Sequence, residues 1–493
     1  MDMNHVLAID QGTSATKCVL VDAQGRIVAK ASAPLGEHYP APGWVEQDPL
    51  AIRDSVCRAI GLCLDQAPQA QVCAVGLSTQ RESALLWERA GHSPVSPLLS
   101  WQDQRTVDLR DRLHRSQGDA LVRERSGLPL DPMFSALKIL WLLEQDPSLA
   151  ARAARGELLA GTVDAWLIGD LGGEATIEVG NASRTQLLDV RTGTWDTDLL
   201  AYFSIPSALM PTVVPSLHRR PTAGRWHPRL AQAPVWAVMA DSHAALYAHG
   251  VRAPGDVKAT MGTGSSVMGL AASADVRSTE VCQTIAWDEG DGHRMALEGN
   301  IRSAGATLKW AAELFGIDVA QAAAEASAAS CDGLWLVPGF SGLGAPYWDA
   351  RAVGLISGLT HSTGRAQLLA AALDSMAHQV SDVLEAMDRS ATPVRRLLLD
   401  GGPSANPVLR KRIAAYIERP VLHCTDPELS ALGVAHMAGL GAGLWDRGTL
   451  AQLPRAQILT DAPASAADHV RAAREGWALS VARARLQPSP RTA

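Results

Sequence analysis

His5-Val6-Leu7-Ala8-Ile9-Asp10-Gln11-Gly12-Thr13-Ser14-Ala15-Thr16-Lys17-Cys18-Val19-Leu20-Val21 opens the chain with an apolar run, a glycine turn and a second apolar run. Val6 to Ile9 reads as a strand ending on Asp10, Gln11 to Ser14 as a tight turn, and Lys17 to Val21 as the return strand. A turn at Asp22-Ala23-Gln24-Gly25 leads into a third strand at Arg26-Ile27-Val28-Ala29. The predicted start is therefore an antiparallel meander, not a strand feeding a helix. The pattern recurs past the midpoint, with Val257 to Thr260 as a strand, Gly262-Thr263-Gly264-Ser265-Ser266 as the turn and Val267 to Leu270 as the return. Just before it, the short apolar strand Ala237-Val238-Met239-Ala240 ends on Asp241-Ser242-His243 and a small-residue helix. Two copies of strand, Gly/Thr/Ser turn, strand predict a duplicated α/β unit with a boundary close to residue 250.

The remainder of the chain fits that frame. Asp48-Pro49 reads as a helix start with Pro in the first turn. Cys73 to Leu77 and Ser83 to Trp87 read as strands flanking the polar knot Ser78-Thr79-Gln80-Arg81-Glu82. Leu369, Leu373, Met376, Val380, Val383 and Met387 form one apolar stripe of a long helix, and Leu397 to Leu399 a strand ending at Asp400-Gly401-Gly402. The tail from Pro488 onward is polar and expected to fray.

At 493 residues, 47% of them hydrophobic, the chain can bury more than one core. Lys and Arg number 44 against 51 Asp and Glu, a net charge of −7, so no global basic field recruits nucleic acid. Only six of the basic residues are Lys, at 17, 30, 138, 258, 309 and 411. The seven cysteines have neither CxxC spacing nor a nearby His cluster, which argues against a zinc site or disulfide framework and for reduced thiols. No signal peptide or membrane-spanning run is apparent. The expected setting is soluble and cytoplasmic, with a small-molecule partner, no membrane and no nucleic acid.

Three glycine turns follow or join strands: Asp10 to Ser14, Gly262 to Ser265, and Asp400 to Gly402. Converging backbone N–H groups and Thr or Ser hydroxyls make such turns phosphate nests, although each alone is also an ordinary tight hairpin. There is no GxxxxGK[ST] loop, and no GxGxxG leads from a strand into a helix. Asp241 at a strand's carboxyl end is either a general base in a cleft or a helix cap. Arg81-Glu82 is either a solvated pair or a forked clamp for neighbouring hydroxyls. Trp101 is either a core ring or an aromatic face for a carbon skeleton.

Taken together these motifs resemble the FGGY family of carbohydrate kinases, on its glycerol kinase branch. Ile9-Asp10-Gln11-Gly12-Thr13-Ser14 is similar to the family's first phosphate turn, Pro42-Gly43-Trp44-Val45-Glu46-Gln47-Asp48-Pro49 to its PGWVExDP segment and Ser78 to Glu82 to its xxQRE motif. Trp101-Gln102-Asp103-Gln104-Arg105-Thr106 resembles WQDxRT, and Met133 to Trp141, which includes Lys138, resembles the first family signature. Asn181 to Thr185, Gly342 to Asp349 and Asp400 to Gly402 continue in order. The resemblance runs from about residue 5 to about 445. It implies an α/β protein of two actin-like ATPase (ribonuclease H-like) domains with a central cleft, using ATP and Mg²⁺. Residues 1–249 would form the N-terminal domain, 250–446 the ATP-binding C-terminal domain and 447–493 a helical tail; a homodimer stays open as the assembly. The resemblance places Thr13, Ser14, Lys17, Gly262, Thr263 and Gly264 at the phosphates and Gly305, Gly402 and Asn406 at the adenosine. It makes Asp10 the organiser of Mg²⁺ through water and Asp241 the base.

The acceptor end departs from the glycerol kinase pattern. Arg81, Glu82, Trp101 and Asp241 match it, but Met133 stands where Tyr is expected, Ser242 where Gln is expected and Ser266 where Phe is expected. Met133 removes a hydroxyl, and the two serines enlarge the space. The expected acceptor is therefore a small polyol or ketose larger than glycerol, phosphorylated on a terminal hydroxyl. Glycerol kinase itself is the alternative. A nucleotide-switched binding protein of the actin/chaperone type is the alternative from another class, and it would have no need of the Arg81, Glu82, Trp101 and Asp241 set.

Overall fold

The computed structural model describes residues 4–114, 118–331, 333–390, 392–462 and 467–486; the tail from Pro488 lies outside them. Its first sheet holds β1 (Asn4–Gln11), β2 (Ala15–Val21), β3 (Ile27–Pro34), β4 (Gln71–Thr79) and β5 (Val235–Ala240), in the order β5-β4-β1-β2-β3. Strands β1, β2 and β3 are the antiparallel meander expected, while β4 and β5 run parallel to β1 on its other side. The second sheet holds β6 (Asp256–Met261), β7 (Ser265–Leu270), β8 (Cys282–Asp288), β9 (His293–Ile301), β10 (Arg396–Asp400), β11 (Val421–Cys424) and β12 (Gln457–Thr460). Their order is β8-β9-β7-β6-β10-β11-β12. The hairpin β6-β7 is antiparallel, and β10 and β11 lie parallel beyond β6, as β4 and β5 do beyond β1. Each sheet thus carries its glycine hairpin at the same topological position.

Seven helices frame the cleft and the joint between the sheets: α1 (Pro49–Asp65), α2 (Ser135–Gln145), α3 (Asp241–Ala248), α4 (Gly305–Leu314), α5 (Arg365–Arg389), α6 (Pro407–Ile417) and α7 (Leu429–Gly441). Asp48 caps α1 by accepting from Leu50 N, with Pro49 opening the first turn. The predicted stripe on α5 is buried at all six positions, and the alanines beside it are buried too, so this helix is enclosed on more than one face.

Strand β1 is apolar throughout because both of its faces are covered. Leu7 and Ile9 enter a core shared with α1, whereas Val6 and Ala8 enter a second cluster with Leu246 of α3, Val434 and Met437 of α7, and Met268 and Leu398 of the other sheet. That second cluster joins the two halves. A third core lies under α5, around Val257, Leu297 and Leu397. Close approach at the joint depends on two glycines. A Cβ at Gly433 of α7 would lie 1.8 Å from Ala244 O, and one at Gly76 of β4 would lie 2.6 Å from Val434 O.

The C-terminal segment departs from the sequence expectation. A helical tail is predicted over 447–493, but Gln457–Thr460 pairs antiparallel with Val421–Cys424 and completes the second sheet as β12. Four residues on a mostly exposed edge leave no alternation of burial, so nothing local marks this strand and its partner specifies it.

Candidate active site

The strand ends set out the site. Because β6 and β10 are parallel neighbours with Thr260 opposite Asp400, the turns after both leave the same edge of the second sheet. Gly401 takes φ +88°, and a Cβ there would lie 2.1 Å from Met261 O, so only glycine fits. The turn Gly262 to Gly264 is braced on the start of α4: Gly305 N donates to Gly262 O at 2.9 Å, and Ala304 N donates to Thr263 O at 2.8 Å. A Cβ on Gly402, by contrast, would meet open space. Asn406 caps α6, with Oδ1 accepting from Val408 N and Leu409 N and Nδ2 donating to Ser327 Oγ, so its side chain is already committed to the protein.

The turn after β1 is tied to the motifs that come after it in the chain. Thr13 O accepts from Gln47 Nε2 at 2.7 Å, and Thr13 Oγ1 accepts from Trp101 Nε1 at 3.0 Å. Trp101 is 39% exposed, so it stands beside the first glycine turn with a face open to solvent. Ser14 is exposed, and Lys17 pairs with Glu428 Oε2 at 3.1 Å, immediately before α7.

Asp10 and Asp241 lie at the carboxyl ends of β1 and β5, which flank β4. Asp10 Oδ1 accepts from Ser78 Oγ at 3.1 Å. Burial and the neighbouring Asp241 carboxylate push its pKa up to about 7. Asp241 is the first residue of α3, and its Oδ1 accepts from Ser242 N at 2.5 Å. Arg81 Nε stands 3.5 Å from that same oxygen. Burial raises the Asp241 pKa, with Arg81 opposing.

Behind Asp241 lies a network of buried charges. The Arg81 fork, read from sequence as a clamp for hydroxyls, is spent on Glu298 of β9, with NH1 to Oε2 at 2.9 Å and NH2 to Oε1 at 2.8 Å. Only its Nε faces Asp241 and Glu82. Arg184 donates from Nε to Glu82 Oε1 at 2.7 Å and places NH1 2.9 Å from Glu298 Oε2. Burial alone would raise the Glu298 pKa, but Arg184 and Arg81 outweigh it and hold the carboxyl well below its ordinary value. Glu82, at φ +61°, is a non-glycine residue in the left-handed region. A strained backbone fixed by several ion pairs is what a pre-organised site requires.

Ser242 and Ser266 belong to the same assembly. Lys258 Nζ donates to Ser242 Oγ at 3.0 Å, Ser242 Oγ to Ser266 Oγ at 3.1 Å and Ser266 Oγ to Glu298 Oε1 at 2.8 Å. Met133 packs beside Leu128, Phe134 and Cys282. Its backbone is held at both ends, N donating to Asp131 Oδ1 at 3.0 Å and O accepting from the buried Lys138 Nζ at 2.5 Å.

The structure therefore gathers Arg81, Glu82, Asp241, Ser242 and Ser266 into one network. It places Trp101 with the first glycine turn, and Gly262, Gly264, Gly305, Gly401 and Gly402 together on the second sheet. Sequence reasoning missed Glu298, Lys258 and the role of Arg184. Their signals were a lone acid and a rare lysine inside apolar strands, and an arginine inside the Asn181 to Thr185 motif.

The fold and this paired set of turns and carboxylates define a two-domain phosphotransferase architecture. The N-terminal domain of the FGGY family of carbohydrate kinases matches residues 5–246, and the family's C-terminal domain matches residues 257–442. The chain belongs to the FGGY family of carbohydrate kinases. It is 41% identical over 491 residues to apulose kinase of Pectobacterium atrosepticum, covering 98% of this chain and 99% of that protein. It is 39% identical over 462 residues to a glycerol kinase of a Geobacter species, covering 91% and 92%. Among solved structures, Plasmodium falciparum glycerol kinase with ADP superimposes with a TM-score of 0.91 at 26% identity, covering 99% of each chain. Xylulose kinase of Lactobacillus acidophilus shares the fold, with a TM-score of 0.88 at 19% identity and 97% coverage of both chains.

The residues present fit a magnesium nucleotide. Magnesium in phosphoryl-transfer sites is typically held by one or two carboxylates plus the phosphates. Asp10 is such a carboxylate, and burial with Asp241 nearby disfavours its ionised form in the protein alone, so a cation beside it would be favoured. The open space at Gly402 provides room beside the second pair of turns.

Proposed function

We propose that the chain transfers the γ-phosphoryl group of ATP to a terminal hydroxyl of a small polyol or ketose larger than glycerol. The observation that carries this reading is Asp241, placed at the head of α3 with Arg81 Nε 3.5 Å away and the Ser242–Ser266 pair beside it. In this reading Asp241 takes the proton of the attacking hydroxyl, and its raised pKa makes it a stronger base than an ordinary carboxylate. Arg81 keeps it oriented. Glu82, Trp101, Met133, Ser242 and Ser266 contact the acceptor, the two serines offering hydroxyls where larger side chains would fill the space. Thr13, Ser14, Lys17, Gly262, Thr263 and Gly264 face the phosphates, and Gly305, Gly402 and Asn406 face the nucleoside; Asn406 does so while remaining the cap of α6. A magnesium ion, when bound, neutralises phosphate charge, and Asp10 would hold it through water.

Residues 1–249 and 250–446 are the two lobes of this reading, meeting at α3 and α7. The seven free cysteines suit a reducing cytoplasm. Because the relatives include both an apulose kinase and glycerol kinases, the deciding measurement is ADP release across C3 to C6 polyols and ketoses, with glycerol, apulose and xylulose among them. Turnover is expected with a four- or five-carbon acceptor above that with glycerol. A preference for glycerol would favour the glycerol kinase reading, and ATP hydrolysis that no acceptor stimulates would favour a nucleotide switch.

A further inference from the structure

A second cavity is lined by none of the candidate site residues. It measures about 430 Å³ and is built from three stretches of chain: the end of α3 with Arg252, the β8–β9 hairpin with Trp287, Glu289 and Asp291, and the segment from Arg447 to Arg455. That volume is within the range of small-molecule sites. Four arginines and two carboxylates line it.

The two carboxylates are already engaged. Glu289 Oε1 accepts from Tyr247 Oη at 3.0 Å and Oε2 from Arg447 Nε at 2.8 Å, while Asp291 Oδ2 accepts from both Arg447 and Arg294. Arg252 and Arg455 have no carboxylate within ion-pair distance among the described residues. Arg252 NH1 donates to Tyr247 O and Val251 O, both at 2.9 Å, and its guanidinium lies 3.5 Å over the Tyr247 ring. Arg455 donates, among the described residues, to the main-chain carbonyls of Ala248, Leu450, Ala451 and Leu453. The approach of Arg455 requires Gly250, where a Cβ would lie 2.8 Å from its Cζ at φ +80°. Burial and the nearby Arg252 charge both push the Arg455 pKa down, so the two cations destabilise each other as they stand.

Two like charges held in one concavity, neither bonded to a carboxylate among the described residues, favour an anion. Tyr247 and Trp287, buried and packed edge to face at 5.2 Å, back the cavity. We infer that this cavity binds a phosphate monoester of a small sugar, its phosphate between Arg252 and Arg455 and its carbon chain in the remaining volume. Arginine recognises phosphate through paired N–H donors, and a 430 Å³ cavity is larger than inorganic phosphate alone needs. Between its lining residues Tyr247 and Gly250 lies His249, whose Nε2 is 2.8 Å from Asp400 Oδ2 at the base of the third glycine turn. A ligand here would therefore bear on the joint about which the lobes meet.

Calorimetric titration of the full chain tests this, with a non-hydrolysable ATP analogue and magnesium at saturation so that the cleft's own phosphate turns are filled. Ribose 5-phosphate is expected to bind with one-to-one stoichiometry, inorganic phosphate more weakly and ribose not at all. Arg252→Gln is expected to weaken ribose 5-phosphate at least about tenfold, the usual order for loss of one charge-assisted contact. Ala451→Glu, which adds a carboxylate at an exposed wall residue, is expected to do the same without touching the arginines. Absence of saturable binding in the parent chain, inorganic phosphate binding as tightly as the ester, or parental affinity in both variants overturns the inference.

Discussion

Asp241 has Arg81 Nε within 3.5 Å, whereas Asp10 has a hydrogen bond from Ser78 and a more distant Lys17 that is already paired with Glu428. The two carboxylates therefore respond differently to substitution. Asp241→Asn keeps the shape and removes the base, so acceptor-dependent ADP release should fall by about two to four orders of magnitude. Calorimetry should find nucleotide affinity nearly unchanged, and full turnover in this variant would remove Asp241 from the mechanism. For Asp10, a folded-state pKa raised to about 7 from 3.8 means that the folded protein binds the extra proton between those values. The stability this contributes is complete below about pH 4 and lost as pH rises through 7. Asp10→Asn should then raise Tm at pH 8 and leave it unmoved at pH 4, as scanning calorimetry at both values would reveal. At the acceptor end, Met133→Tyr with Ser266→Phe restores the bulk expected of a glycerol pocket. The ratio of kcat/KM for glycerol to that for a C5 ketose should rise about tenfold or more, in keeping with the discrimination that pocket volume supplies.

At the scale of elements, the packing of α7 on α3 is where one methyl group matters most. Gly433→Ala would put a Cβ 1.8 Å from Ala244 O, main chain against main chain, and neither helix can yield locally. A loss of about 1–3 kcal/mol or more is expected from such overpacking, measured as a lower urea midpoint with unchanged m-value. Gly61 on the exposed side of α1, where a Cβ meets nothing, provides the contrast: Gly61→Ala should be neutral or stabilising. The same elements show what sequence could and could not reveal. The two hairpins, Asp48-Pro49 and the stripe on α5 are legible because turn chemistry and periodicity are local. Strand β12 is not, since its register comes entirely from β11. Nor is the ion-pair network, because Glu298 lies 217 residues from Arg81 and no local pattern couples them. Asp241 illustrates the boundary between the two cases: position alone leaves it as cap or base, and its neighbours in space make the base reading the better one.

In the molecule as a whole, several bonds join the halves across the cleft. Arg81 to Glu298 lies deep and is enclosed by protein and Lys258 to Ser242 adjoins it, whereas Arg302 to Asp131, at 2.9 Å, has both side chains partly exposed. Arg302 follows β9 in the second half, and its other nitrogen donates to Ser341 O at 2.6 Å. Asp131 uses its second oxygen to hold Met133 N, so one carboxylate fastens the Met133 loop to the opposite lobe. The deep bonds involve the groups around Asp241, and removing any of them would disturb the chemistry directly. The Arg302 bond offers a way to loosen the lobes without entering the network. A partly exposed charge-assisted bond of this kind is worth about 1 kcal/mol, or about fivefold in an equilibrium constant. Arg302→Ala should raise the acceptor KM by about that factor with little change in kcat, and should increase ADP release in the absence of acceptor, because a looser cleft admits water as the competing nucleophile. A fall in kcat with unchanged KM would instead place Arg302 among the groups that act on the transition state.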